Sequence, residues 1–278
     1  GVPTSTNFAI GTSSDVNASG GTYVAYVYAG GESTAATARS VGFNGSSQYL
    51  SIPDNPDWNL GGTFTIEGWI YSNSGSLTGS YGGTILGQDT GWYIAVVGAG
   101  TGRGKIQYAD PGATYNSAAG ALNEGQWNHI AFVANSGVGA IYINGTKSTD
   151  GATPATVNCP DDAAALEIGR YGSNNMYFNG KISNLRVIKG TALYTSSFIP
   201  PTEPLKNITN TKLLCCNNSS VTGSTVTPGT ITANGDPTAS TDSPFDDPGG
   251  YKFGEDGDQS IIKCGSYVGN GSATGPEI

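Results

Sequence analysis

The chain has 278 residues, of which 43 are Gly, 14 are Pro and only 12% are charged, a balance poor in helix formers and rich in turn formers that points to an all-β protein. Its formal net charge is −9 with 12 Lys+Arg and no basic run, which excludes a binder that tracks nucleic-acid phosphates. No stretch approaches the roughly 20 apolar residues of a membrane span, so membrane insertion is not expected, and residues 1–14 lack the charged and apolar parts of a signal peptide.

In chain order, the first strand is expected over Thr22 to Ala29, after a Gly/Asn/Ser turn, and residues 30–39 read as a small polar linker. From Val41 the apolar positions Phe43, Tyr49, Leu50 and Ile52 flank an Asn44-Gly45 turn. Phe64, Ile66 and Ile70 then alternate with Thr65, Glu67 and Trp69 as a strand requires. The central stretch runs from Gly125 to Gly145. Trp127 to Ala134 and Gly139 to Ile143 read as a hairpin around Asn135-Ser136-Gly137, and Asn144-Gly145 returns the chain along Thr146 to Thr149. In the first of these strands Trp127, His129, Ala131 and Val133 share one face and Asn128, Ile130, Phe132 and Ala134 the other. Both faces carry bulk, which predicts a central strand covered on both sides. Residues 218–248, dense in Thr, Ser, Pro, Gly and Asp, read as a linker with an exposed strand over Ser224 to Ala233. Ile261 to Val268 closes the chain as a strand.

The run VGFNGSSQYL, the acidic IPDNPDWNL loop, TFTIEGWIY, QWNHIAFV, YINGT and the closing GKISNLRVIKGTALYT together resemble the laminin-G/concanavalin A-like jelly roll in its pentraxin-like form. The match covers about Val41 to Cys216. Residues 180–217 and both flanks are also similar to wording that recurs in long repetitive structural proteins of marine tailed phages, especially cyanophages. In those proteins the C-terminal wording opens a β domain that the N-terminal wording closes. The resemblance implies a jelly-roll sandwich at 41–217, an N-terminal β segment and linker at 1–40, the linker at 218–248 and a C-terminal β segment at 249–278, the flanks forming a small second β unit. It implies a non-enzymatic, virion-associated or extracellular structural or adhesion protein, with itself, other virion proteins or cell-surface glycans as partners. The flanking strands lack partners nearby in sequence, so they are expected to pair either head to tail between subunits, building a filament, or with each other within one chain. The alternative function is a carbohydrate-binding lectin module.

A glycoside hydrolase is disfavoured by the residues themselves. Retention needs two carboxylates about 5–5.5 Å apart, and Glu67 and Glu167 each stand alone in their strands. His129, the single histidine, lies mid-strand among core positions and reads as structural. Sugar recognition needs rings for the apolar pyranose face beside amides or carboxylates for its hydroxyls. The candidates are Trp58, Trp92, Tyr93, Tyr108, Tyr171 and Tyr177, with Asn174 and Asn175 beside the last two, while Trp69 and Trp127 are assigned to the core. Calcium, which the jelly-roll resemblance also implies, would take oxygens from Asp54, Asn55 and Asp57, with Asp161 and Asp162 next. Cys159, Cys215, Cys216 and Cys264 are expected to be reduced, with a Cys159 bond to Cys215 or Cys216 as the alternative.

Overall fold

The alternation in the sequence becomes eighteen strands among the described residues, which in this computed structural model are 13–28, 39–77, 81–98, 100–148, 156–160, 162–245 and 262–268. In chain order they are β1 (Thr22–Tyr28), β2 (Ser40–Asn44), β3 (Tyr49–Ile52), β4 (Phe64–Ser72), β5 (Tyr81–Gln88) and β6 (Trp92–Val97). There follow β7 (Lys105–Ala109), β8 (Thr114–Asn116), β9 (Trp127–Asn135), β10 (Val138–Ile143), β11 (Thr146–Ser148) and β12 (Leu166–Ile168). The last six are β13 (Asn179–Lys189), β14 (Thr211–Cys215), β15 (Ser224–Val226), β16 (Thr232–Asn234), β17 (Thr238–Ser240) and β18 (Ile262–Val268). Among the described residues helix is confined to one turn at Ser14–Asn17 and three short 3-10 turns.

Two antiparallel sheets form a sandwich. The nine-stranded sheet runs β11-β10-β9-β4-β13-β14-β15, with β2 beside the first half of β13 and β17 beside β2. The seven-stranded sheet runs β16-β3-β12-β5-β6-β7-β8. Inner faces supply the core: Phe64 and Phe132 from one sheet meet Tyr108 and Tyr115 from the other. The rings of Tyr108 and Phe132 are stacked, with centroids 4.0 Å apart and planes 9° off parallel.

The second layer that β9 requires comes from the connection between β13 and β14. This strap crosses the outer face of the nine-stranded sheet, where Ala192, Tyr194 and Phe198 pack on Ala131, Val133 and Tyr142. The Asn144-Gly145 turn between β10 and β11 is as expected, with φ of 49° and 75°, but it also serves the strap. Phe198 N donates to Gly145 O at 2.9 Å, and a Cβ on Gly145 would stand 1.8 Å from the Phe198 carbonyl oxygen. Gly145→Ala is therefore expected to cost about 2–4 kcal/mol, from the left-handed backbone and the displaced strap together. Urea denaturation measures it, and a loss below 1 kcal/mol on that scale would show the strap to be loosely held.

Residues 218–248 are not simply a linker. β15 extends the nine-stranded sheet, β16 joins the seven-stranded sheet through β3, and β17 returns to the first sheet through β2. Three-residue strands rich in Thr, Ser and Asn suit sheet edges, where one side faces water and little apolar area is needed. The other described unit is β1 and β18, which pair antiparallel within the chain from Thr22↔Val268 to Tyr28↔Ile262. This is the intrachain one of the two expected pairings. A short capped turn precedes β1: Ser13 Oγ accepts from Asp15 N, and Tyr23 Oη accepts from Ala18 N at 2.9 Å while donating to Ser14 O at 3.0 Å. Cys159, Cys215 and Cys216 are free and buried, so no Cys159 bond forms. The Cys264 side chain and Asp161 lie outside the described residues.

Candidate functional site

On the outer face of the seven-stranded sheet, period-two alternation turns Tyr49 of β3, Glu167 of β12 and Tyr93 of β6 the same way, since the registers match Glu167 to Gly87 and Gly87 to Tyr93. Gly87 has no side chain where a Cβ would meet Tyr93 Cβ at 2.9 Å and the Tyr171 ring at 3.1 Å. That gap lets the Tyr171 ring from the loop after β12 lie down on the sheet. Tyr93 and Tyr171 pack with centroids 4.9 Å apart, and Tyr93 Oη donates to Gln107 Oε1 at 2.9 Å. From the same loop Arg170 places its guanidinium carbon 3.9 Å from the Tyr49 centroid and 5.9 Å from that of Tyr177. Glu167 holds it there with a bidentate pair, Arg170 Nε to Oε2 at 3.0 Å and Nη2 to Oε1 at 2.7 Å.

Burial pushes the Glu167 carboxyl above the ordinary carboxylate range, with Asp89 adding to the rise and Arg170 opposing it. Burial works the other way on Arg170, and its bonds to Glu167 and Tyr177 outweigh it, so the guanidinium stays charged. Beside this pair the β5–β6 turn puts Thr90 in the left-handed region, at φ 63°, a strained position for a β-branched residue. Its N–H is shared by Asp89 Oδ1 and Tyr171 Oη, each at 3.1 Å, and its hydroxyl donates to Asp162. Asn174 and Asn175 are exposed on the loop, with Asn175 at φ 50°.

Of the glycan candidates the fold thus brings together Tyr93, Tyr171, Asn174, Asn175 and Tyr177. Tyr171 is itself largely buried, at 9% exposure. It does not bring Trp58, Trp92 or Tyr108, which are core residues with 0–1% exposure and no ring face open to a ligand. Trp58 donates its indole N–H to Pro53 O at 3.2 Å, so the acidic loop that carries it folds inward. The sequence reading missed Tyr49 and Arg170, although an arginine three residues after Glu167 in LEIGR was the available signal. It also misplaced Trp127, which is half-buried on the outer face of the other sheet.

The described calcium candidates all have partners within the chain. Asn55 Oδ1 caps a 3-10 turn by accepting from Asp57 N at 3.0 Å, Asp57 pairs with Lys212 at 2.9 Å, and Asp54 accepts from Gln88 at 3.2 Å. Asp162 accepts from Ala164 N and Thr90. No group of three His, Cys, Asp or Glu able to hold a metal occurs among the described residues. His129 is fully buried beside Glu67.

The family described as the concanavalin A-like lectin/glucanases superfamily matches residues 44–193. No curated protein matches the sequence. Among solved structures, a proposed carbohydrate-binding protein from Bacteroides ovatus is 20% identical with a TM-score of 0.52. The alignment covers 73% of this chain and 60% of that one, so the chain spans about three-fifths of that protein. A heptameric SAP-like pentraxin from Limulus polyphemus is 14% identical with a TM-score of 0.49, covering 73% of this chain and 94% of that one. Domain 4 of an extracellular arabinanase from Geobacillus stearothermophilus, solved with arabinotriose, is 21% identical with a TM-score of 0.42, covering 63% and 85%.

Proposed function

We propose, from the premise that this chain belongs to the concanavalin A-like lectin/glucanases superfamily, that it is a non-catalytic glycan-binding module. The observation that carries the reading is the platform on the seven-stranded sheet: half-exposed Tyr49 and Tyr177 around a guanidinium fixed by Glu167, with half-exposed Tyr93 on the same face of the sheet. Ring faces suit the C–H face of a pyranose, and Arg170, Asn174 and Asn175 supply donors and acceptors for its hydroxyls. Glu167 has both oxygens committed to Arg170, so it positions a ligand-facing cation rather than passing protons to a glycosidic oxygen.

The module's place is the outside of a virion or a cell, as the adhesive part of a larger structural protein. The resemblance of residues 180–217 and of both flanks to phage structural wording supports that placement. A glycan array tests the function, followed by calorimetry with the strongest binder. Arg170→Ala and Tyr93→Ala should each weaken binding about 10-fold or more at a temperature where both remain folded; Arg170→Ala also leaves Glu167 without its cation and should melt below the parent. An array blank at high protein concentration would leave a purely structural role, and wild-type affinity in both variants would place the ligand elsewhere.

A further inference from the structure

The outer face of the nine-stranded sheet carries a second row of chemistry that the platform does not use. Cross-strand registers align Trp127 of β9 with Tyr71 of β4, Tyr71 with Lys181 of β13, Lys181 with Gly42 of β2, and Gly42 with Thr238 of β17. Residues directly opposite one another share a face, so these five positions form one continuous strip. The strap covers the sheet beyond it, over Glu67, Ala131 and Val133, and the segment after β17 covers the neighbouring row. There Ser40 Oγ donates to Asp242 O at 2.6 Å and Phe245 packs edge-on against Trp69 at 5.8 Å. Trp127, Tyr71, Lys181 and Gly42 are left half-exposed between the two covers.

The strip is also organised. Tyr71 and Trp127 meet edge to face at 5.7 Å, and Lys181 Nζ lies 5.1 Å from the Tyr71 centroid. Asp242 reaches over from the covering segment, accepting from Trp127 Nε1 at 3.1 Å through Oδ1 and from the Lys181 ammonium through Oδ2. The pair keeps 29% of the lysine side chain and 44% of the aspartate open to solvent. Burial works against ionisation of Asp242, and Lys181 and Trp127 outweigh it, holding the carboxyl below its ordinary range. At the Trp127 end the strip adjoins Asn123, Glu124 and Gln126, which line a cleft of about 300 Å³.

We infer that this strip is a second glycan site, for a neutral oligosaccharide, on the sheet opposite the tyrosine platform. Two ring surfaces next to a solvent-facing carboxylate–ammonium pair match a pyranose, whose C–H face takes the rings while adjacent hydroxyls donate to Asp242 and accept from Lys181. Because Lys181 is already neutralised by Asp242, and the chain carries a net charge of −9, an acidic sugar gains nothing here. A flat apolar protein surface would bury that ion pair without replacing its water. Gly42, bare between Lys181 and Thr238, leaves a dip that a bulky side chain would fill. The inference goes beyond the platform reading, since it makes the module able to hold two chains, or two parts of one chain, on opposite faces.

The two sites report through different chromophores, which separates their tests. The platform contains tyrosines only, Trp58 and Trp92 are buried, and the other two indoles are both on the outer face of the strip's sheet: Trp127 half-exposed on the strip and Trp69 in the neighbouring row against Phe245. The full-length chain is titrated with cellotetraose, laminaritetraose and mannotetraose while tryptophan emission is followed. At least one probe is expected to give a saturable shift at millimolar concentration or below. Lys181→Met and Asp242→Asn, each checked by thermal melting, are expected to weaken it about 10-fold or more, and Arg170→Ala to leave it unchanged. The inference is overturned if no probe moves the emission, if both strip variants titrate like the parent, or if Arg170→Ala abolishes the shift.

Discussion

Replacing Arg186 with alanine is expected to destabilise the sandwich by about 3–5 kcal/mol, because it leaves a buried carboxylate without its cation. Glu67 of β4 is fully buried beneath the strap. Arg186 of β13, its direct cross-strand neighbour, donates from Nε to Oε1 at 2.9 Å and from Nη2 to the same oxygen at 2.5 Å. Tyr194 on the strap donates to Oε2 at 2.7 Å, His129 Nε2 stands 3.4 Å from it, and Arg186 Nη1 reaches the Lys206 carbonyl at 2.7 Å. The network therefore fastens both ends of the strap to the sheet. Urea denaturation of Arg186→Ala measures the loss, and the double variant Arg186→Met with Glu67→Leu should recover most of it, since no charge is then left buried. A single variant within 1 kcal/mol of the parent on that scale would mean that water reaches Glu67.

The same network fixes the response to acid. Burial opposes ionisation of Glu67, but His129, Arg186 and Tyr194 outweigh it and hold the carboxyl below its ordinary value of 4.5. A folded-state value below the unfolded one contributes stability that is fully present above the unfolded value and is lost as pH falls through the folded one. The strap is therefore expected to loosen only as pH falls below the ordinary carboxylate value of 4.5.

Phe132→Ala should cost a comparable amount, about 3–5 kcal/mol, for a different reason. Its ring is 1% exposed, lies flat on Tyr108 across the sandwich and is flanked by Phe64 and Tyr115 at 5.7 Å each. Removing it empties the point where the two sheets interlock, and Tyr108, whose hydroxyl is tied to Asp110 at 3.0 Å, is not free to follow. Phe132→Leu should lose less than half as much, because most of the volume remains. Thermal melting of the pair decides between packing and a local folding defect: equal losses in both variants would argue against the cavity explanation.

The elements with strict alternation were legible from sequence. Trp127 to Asn135 is a central strand covered on both sides, and Asn144-Gly145 turns with positive φ at both residues. What covers its outer face was not legible, because the strap comes from residues some 60 positions later and covers Glu67, His129, Ala131, Val133 and Tyr142. Trp127 has the same parity as those residues but lies beyond the strap, so it stays half-exposed. Trp58 sat among Pro, Asp and Asn and read as a loop aromatic, yet its indole N–H has a carbonyl partner, which lets the ring enter the core. Tyr93 and Trp92 are adjacent and therefore face opposite ways, so only one of them could be a surface ring. Register shifts in β5 at Tyr81/Gly83 and Thr84/Leu86 make a count of two residues unreliable for deciding which. Strand character over Ser224 to Ala233 was legible, but its division into β15 and β16 and the presence of β17 were not, because short polar strands bury too little to leave an apolar pattern.

The way β2 and β17 are laid together has a mechanical consequence. Ser40, where the chain comes into the sandwich, is directly opposite Ser240, where it leaves, and the same holds for Thr22 and Val268 in the flanking pair. Tension carried along the polypeptide through those residues pulls mated strands apart from one end. The load then falls on one rung of hydrogen bonds at a time instead of being shared by the whole ladder, as it would be if the strands were drawn past each other. A chain strung in this way gives length at low force, the flanking pair opening from its Thr22/Val268 end and β17 leaving β2 from its Ser240 end.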